Sequence, residues 1–171
     1  MATLMERRHM AQVDYFLKIE GVESESTDAK HKGEIELESY SWGETQSGTA
    51  GKGGGQGAGK VQPQDFHFVK RVDKSSPVLF IACATGTPYK KAVLTARKAG
   101  VDQQEYFKIT MEEVLVSSYQ LGGSGSSVVV PMEQVSLNFA KLEMIYKEQK
   151  PDGTLGGEVK QKYDFAGNVK V

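Results

Sequence analysis

The stretch GGGQGAGKV, from Gly53 to Val61, is similar to the loop with which nucleotide-binding enzymes hold phosphate groups. From Gly54 it reads G-x-x-x-x-G-K, but valine follows Lys60 where serine or threonine would bind magnesium. Such a loop is followed directly by a helix, whereas Pro63 and the alternating phenylalanines after it indicate a strand. We therefore expect no nucleotide binding here.

A second candidate for chemistry is a row of carboxylates on one predicted strand. Glu34, Glu36 and Glu38 alternate along the chain, so their side chains would lie about 7 Å apart on one face. A glycosidase pair could use this separation. Charges that repeat on the outer face of a strand are more often solvated, and we favour that interpretation.

The histidines and the cysteine offer little further chemistry. His9, His31 and His67 show no spacing typical of metal ligands. The polar segment around His31 predicts an exposed side chain, and alternation with two phenylalanines predicts that His67 faces solvent or a neighbouring subunit. Cys83, the one cysteine, excludes an internal disulfide and is expected to be a buried small hydrophobe. We expect no enzyme, no cofactor and no metal site.

Strands dominate the elements that would position these residues. Apolar side chains at every second position predict strands beginning near Val13, Ile35, Phe66, Val93, Phe107 and Val135, with a short edge strand from Glu158. In two of them the apolar parity switches, near Tyr40 and near Ala140. A β-bulge in a continuous strand, or a sharp coil at the first switch, would produce this change.

One segment has the signals of a helix. Ser76 is suited to the N-cap, Pro77 to the first helical position and Gly86 to the end, which predicts a helix at about 76–85. It is apolar almost all round, so we expect it to be buried against the barrel wall or in a subunit interface. The fold class is therefore mainly β: an antiparallel barrel or sandwich with one short flanking helix.

Composition limits the partners. The chain has 171 residues, with 21 Lys and Arg against 22 Asp and Glu, for a net charge of −1. This balance excludes a nucleic-acid interface of the usual basic kind and favours self-association. No apolar run is long enough for a membrane span, and no signal-peptide core is visible, so we expect neither membrane insertion nor export by the general route.

The domain organisation is simple. Residues 12–171 are expected to form one domain, and residues 1–11 an N-terminal extension that is disordered or left from cloning. A glycine-rich loop occupies 47–60, where seven of the twelve residues from Gly48 to Gly59 are glycine. Because such a run is costly to order, it is either a flexible hairpin tip or a segment that becomes ordered against a partner.

Nine short motifs, in order along the chain, resemble the Hcp family, the haemolysin-coregulated proteins of the bacterial type VI secretion system. The resemblance covers roughly Gln12 to the end of the chain. The motifs are Y-S-W-G at Tyr40–Gly43, G-A-G-K-V at Gly57–Val61, D-F-x-F-x-K at Asp65–Lys70, D-K-S-S-P at Asp73–Pro77, A-x-x-T-x-R-K-A-G at Ala92–Gly100, E-Y-F-K-I-T at Glu105–Thr110, E-V-L-V-S-S at Glu113–Ser118, G-G-S-G at Gly122–Gly125 and V-S-L-N-F-A at Val135–Ala140.

The resemblance implies a ring-forming β-barrel whose homohexamers stack into a hollow tube. It implies synthesis in the bacterial cytoplasm and secretion to the medium or a target cell through a contracting sheath, with sheath, baseplate and spike-tip proteins as partners. Small effector proteins would occupy the lumen, with Ser41 facing them. The loop that reaches the adjacent ring would comprise Gly51, Lys52, Gly53, Gly54, Gly55, Gln56 and Gly57.

Two other classes of function stay open at this point. One is a stand-alone β-barrel that binds a small ligand such as a sugar or lipid, with the glycine-rich loop as its rim. The other is a secreted enzyme that uses the row of glutamates, among which Glu36 would be the first to test.

Overall fold

The computed structural model describes residues 13–48, 60–98, 103–125 and 130–171. The predicted N-terminal extension, 1–11, and the loop residues Gly51–Gly57 lie outside these ranges. The described elements are β1 (Val13–Ile19), β2 (Ile35–Leu37), β3 (Ser39–Ser41), β4 (Glu44–Gln46), β5 (Val61–Pro63), β6 (Phe66–Arg71), α1 (Ser76–Thr85), β7 (Pro88–Lys98), β8 (Glu105–Gly122), β9 (Met132–Asn138), β10 (Lys141–Gln149), β11 (Leu155–Asp164) and β12 (Val169–Lys170).

All strand pairs among the described residues are antiparallel, which confirms the predicted fold class. The main sheet runs in the order β12-β11-β10-β8-β7-β1-β2, and β9, β6 and β3 continue from β8 as a branch. A separate ladder joins β4 to β5 at the base of the glycine-rich loop. The main sheet therefore folds into two layers.

The long strand β8 belongs to both layers. Its first part pairs with β7 on one side, up to Leu115, and with β10 on the other, up to Glu112. From Leu115 to Gly122 it pairs with β9. The apolar core lies between the layers and includes Leu17, Ile35, Phe66, Phe68, Leu94, Ile109, Met111, Val135 and Leu137, each at most 2% exposed.

The two parity switches are changes of strand, and the prediction of bulges in continuous strands is wrong. At Glu38 the chain leaves β2, which pairs with β1, and enters β3, which pairs with β6. At Ala140 it passes from β9 to β10, and the Ala140 N–H donates to the carbonyl of Glu112 on β8. In both places the apolar side chains change from odd to even positions, because the chain moves to another part of the sheet.

The helix α1 spans the residues that the sequence predicts, but its N-cap is Ser75 and not Ser76. Ser76 lies inside the helix, where its hydroxyl accepts hydrogen bonds from the Asp73 N–H and from Lys70 Nζ. Only one side of α1 is buried, through Ser76, Leu79 and Ala82. The other side is exposed within the single chain, except that the Phe80 ring packs against Tyr119. The expected burial of this side in a subunit interface therefore stays a prediction.

The connection between β1 and β2, residues 20–34, buries His31, so the prediction of an exposed side chain is wrong. The imidazole is 4% exposed and stacks on Phe16 at 4.2 Å. Its Nδ1 lies 2.8 Å from Glu34 and its Nε2 lies 3.3 Å from Glu105. Glu34 is half-buried because it pairs with His31, whereas Glu36 and Glu38 are exposed. The three glutamates therefore do not form the row of solvated carboxylates that the sequence predicts.

Arg97 of β7 holds the same connection against the sheet. Its guanidinium, 3% exposed, donates two hydrogen bonds to Asp28, at 2.9 and 2.7 Å, and one to Asp14 at 3.2 Å. It also lies over the Phe16 ring at 4.8 Å. The hydrogen bonds from Arg97 hold the pKa of Asp28 well below its ordinary range, against the opposing effect of burial.

Replacing Asp28 by asparagine is expected to lower the free energy of unfolding by roughly 2–4 kcal/mol at pH 7, because Arg97 keeps a buried charge without its main partner. Since the folded-state pKa of Asp28 is lowered, its contribution is present above about pH 4, its unfolded value, and is lost as the pH falls below that. Because pH 3 lies between the unfolded value and the lowered folded-state pKa, only part of the contribution is lost there. Urea unfolding should therefore show a larger difference from wild type at pH 7 than at pH 3. The exposed Glu36→Gln is the control, and an equal loss at both pH values would contradict the assignment.

Candidate functional site

The layer formed by β3, β6, β9 and β8 has one apolar and one polar side. Its inner side contributes Phe66, Phe68, Val135 and Leu137 to the core. Its outer side is concave, enclosing about 500 Å³, and is formed mainly by neutral polar groups. The outward side chains, which we call the polar face, are Ser39, Ser41, Asp65, His67, Val69, Ser117, Ser118, Gln120, Gln134, Ser136 and Asn138.

A chain of hydrogen bonds crosses the middle of the polar face. Ser41 pairs in register with His67, His67 with Ser136, and Ser136 with Ser118. The Ser118 hydroxyl donates to Ser136 Oγ at 2.7 Å, and Ser136 Oγ lies 2.6 Å from His67 Nδ1. Ser41 and His67 are exposed, whereas Ser136 is 6% exposed. The face therefore presents an imidazole held in place by a buried hydroxyl.

An irregularity in β8 supplies part of this row. The register between β8 and β9 shifts between Val116 and Ser118, which leaves Ser117 as an extra residue. Val116 packs into the core, and Ser117 and Ser118 follow on the polar side. Ser117 donates to Asp65 at 2.6 Å, as the Asn138 amide does at 2.9 Å. The bulge thus places two neighbouring hydroxyls on one face, which regular alternation could not do.

Formal charges lie at the ends of the polar face. At one end, the Asp65 carboxylate accepts hydrogen bonds from Ser117 and Asn138. At the other end Arg71 donates to Glu38 at 2.7 Å. Between them the row of Val69, Gln134 and Gln120 carries no charge. The surface can bind by short-range hydrogen bonds and offers little long-range electrostatic attraction.

A buried ion pair behind the face joins the strands that carry it. Lys70 of β6 and Glu133 of β9 have fully buried side chains, and their Nζ and Oε2 atoms are 2.6 Å apart. Lys70 also lies 3.0 Å from Asp73 and donates to Ser76 at the start of α1. Such a network keeps β6, β9 and α1 in one arrangement, because moving any of them apart would leave a buried charge without its partner.

Two neighbours of the ion pair complete the network. The Tyr119 hydroxyl donates to the second oxygen of Glu133, and burial together with that carboxylate raises the pKa of Tyr119 to about 12. Burial by itself would raise the pKa of Asp73, but hydrogen bonds from Ser24, Ser75 and Lys70 lower it overall. Both groups are therefore in their ordinary charge states at neutral pH, and the network serves structure.

Comparison with known proteins identifies the family. The family model described as "Type VI secretion system effector, Hcp" matches residues 16–146. The chain is 49% identical over 161 residues to Protein hcp1 of Pseudomonas aeruginosa strain PAO1, with coverage of 93% of this chain and 99% of that protein.

The chain belongs to the Hcp family.

Solved structures agree with this assignment. The Hcp1 crystal structure from Salmonella typhimurium has a TM-score of 0.79 and 36% identity, covering 95% of this chain and 100% of that one. A type VI secretion system effector from Yersinia pestis has a TM-score of 0.71 and 31% identity, covering 88% and 99%. This Hcp-family chain is therefore a type VI secretion system protein.

The residues that the Hcp resemblance singled out lie in two places. Ser41 is exposed on the polar face, at its edge strand β3. The ring-stacking residues Gly51–Gly57 lie outside the described residues, between β4 and β5, and their role stays a prediction. The strand β5 occupies the place where a phosphate-binding loop would need a helix. Cys83 is half-buried and packs against the core, less enclosed than predicted.

Sequence reasoning missed most of the polar face in this Hcp-family chain. The family motifs contain three of its serines, but the sequence assigns them no role: Ser117, Ser118 and Ser136. One signal was available for Ser136. Because it lies between Val135 and Leu137 in a strand, its side chain must point away from the apolar core. In the part of the chain that the structure describes, no three His, Cys, Asp or Glu side chains are grouped to hold a metal ion. No described helix is long and apolar enough to cross a membrane.

Proposed function

We propose that this Hcp-family protein is the structural protomer of the type VI secretion tube and performs no catalysis. Six copies form a ring, rings stack into a hollow tube, and the polar face lines the lumen. The observation that carries this proposal is a four-stranded layer with a neutral concave face and an open strand at each side. Among the described residues, β3 pairs only with β6, and β8 beyond Leu115 pairs only with β9.

Open strands favour a closed assembly. Unpaired strand edges must be covered or paired with another chain. Head-to-tail contact through unlike surfaces closes into a ring when the rotation per copy fits. With β3 of one copy beside β8 of the next, the polar faces of all copies form one continuous inner wall, and Ser41 lies near each junction.

The exposed side of α1 supports self-association. Val78, Phe80 and Ile81 are 38%, 56% and 52% exposed, and Leu121 of β8 is 60% exposed. Phe80 packs edge-on against Tyr119, with ring centroids 6.1 Å apart, so α1 flanks the open side of β8. An apolar surface beside an open strand edge is typical of a protein contact.

Replacing Ile81 by aspartate is expected to convert rings to monomers, because a charge in a desolvated contact is costly. Negative-stain electron microscopy and sedimentation of the purified variant measure this directly. Val169→Asp is the matched control, since Val169 is 51% exposed and lies on β12, at the far end of the main sheet path from β8. Six-membered rings in the Ile81 variant, or compact monomers of wild type at every concentration, would contradict the proposal. The second result would favour the stand-alone ligand-binding barrel.

The lumen carries and chaperones small effector proteins in this proposal. The neutral side chains of the polar face bind by hydrogen bonds and not by a dominant charge, which suits a carrier of varied cargo. The outside of the tube meets the sheath, and its ends meet the baseplate and spike-tip proteins. The protein is made in the cytoplasm and leaves through the apparatus, without nucleic acid or membrane insertion.

A further inference from the structure

His67 is the chemically distinctive side chain of the polar face. It is exposed on β6 between the buried Phe66 and Phe68. Its Nδ1 is engaged with Ser136, and among the described residues Nε2 has no hydrogen-bond partner. Histidine is the side chain that most often changes charge between about pH 5 and 8.

The serine chain accommodates both charge states of His67. In the neutral state Ser118 donates to Ser136, Ser136 donates to Nδ1, and the imidazole proton is on Nε2. When a proton is added, Nδ1 donates to Ser136, Ser136 donates to Ser118, and the Ser118 hydroxyl turns to solvent. Each group keeps a partner in either direction, because a hydroxyl both donates and accepts.

The surroundings leave that charge largely uncompensated. The neighbouring strands present Ser39 and Ser41 from β3, Gln134, Ser136 and Asn138 from β9, and Ser117, Ser118 and Gln120 from β8, none of them charged. Along β6 itself the charged neighbours are Asp65 and Arg71. Asp65 already accepts from Ser117 and Asn138, and Arg71 is paired with Glu38.

We propose that His67 is a specificity-determining residue of the polar face that binds carboxylates of the cargo when it is protonated. This inference rests on the proposed function as a cargo-carrying tube. The imidazolium Nε2–H meets the carboxylate, and the Ser41 hydroxyl on the adjacent strand is in register to donate to the same group. A ring repeats the site once per copy, so acidic cargo surfaces are held at low pH and released as the pH rises.

Fluorescence anisotropy with a fluorescein-labelled octaglutamate peptide tests this on the full chain at pH 5.5 and pH 8.0. The wild type is expected to bind about three- to fivefold more tightly at pH 5.5, the effect of one exposed ion pair. His67→Gln keeps a polar side chain and is expected to lose the pH dependence. His67→Lys is expected to bind equally at both pH values. Ser41→Ala is expected to weaken binding at pH 5.5 while keeping the pH dependence.

Labelled octalysine is the charge-reversed probe and is expected to bind no better at pH 5.5 than at pH 8.0. The proposal is overturned if His67→Gln retains the wild-type pH response, or if octaglutamate binds at neither pH. Electron microscopy of the same samples separates this outcome from failure of the proposed function. Rings without His67-dependent binding overturn only the inference, whereas a wild type that forms no rings overturns the tube assignment.

Discussion

Lys70→Met is expected to lower the free energy of unfolding by roughly 3–5 kcal/mol, because it leaves the fully buried Glu133 carboxylate without its cation. Methionine fills a volume similar to the lysine stem, so the loss reflects charge more than packing. Urea unfolding at pH 7, followed by tryptophan fluorescence from Trp42, measures it.

The double variant Lys70→Met/Glu133→Gln is the matched control. Glutamine removes the buried negative charge and still accepts the hydrogen bond from Tyr119. Much of the lost stability should return, since replacing a whole buried ion pair by neutral groups is far less costly than breaking it. If the double variant is as unstable as Lys70→Met, the loss comes from packing and the assignment of the ion pair is wrong.

Deleting residues 51–57 is expected to leave single rings intact and to abolish stacked tubes and secretion. The proposed reason is that this glycine-rich segment reaches the adjacent ring, at an ordering cost of about 1–2 kcal/mol per residue that only stacking contacts offset. Electron microscopy of purified protein scores rings and tubes, and immunoblotting of culture medium scores secretion.

A same-length replacement of 51–57 by alternating glycine and serine is the control. It keeps the reach of the segment and removes Lys52 and Gln56, so it separates length from side-chain contacts. Normal tubes from the deletion variant would refute the stacking role. Loss of the rings themselves would show that the segment acts within a ring.

Local patterns in the sequence determined the elements and the family. Period-two alternation at Val13, Phe66 and Val135 placed strands that the structure contains, because a side chain's face in a strand depends only on its position along that strand. Pro77 at one end and Gly86 at the other bounded α1, since both act through their own backbone. The nine motifs in order were sufficient for the Hcp resemblance.

Tertiary structure decided how those elements meet. The sequence marked His31 as exposed because its neighbours are polar, and the structure buries it because residues 20–34 cross the sheet onto Phe16. The switches at Glu38 and Ala140 are changes of pairing partner, which apolar parity cannot distinguish from bulges.

The polar face depends most fully on the tertiary structure. Ser41, His67, Ser118 and Ser136 come from four strands, and His67 and Ser136 are 69 residues apart. Lys70 and Glu133 are 63 residues apart and meet only when β6 pairs with β9. The sequence by itself states only that Ser41, His67 and Ser136 each lie between apolar neighbours. Strand register decides which of these side chains share a face. Register belongs to pairs of segments that are distant in sequence, and packing of the whole core selects it.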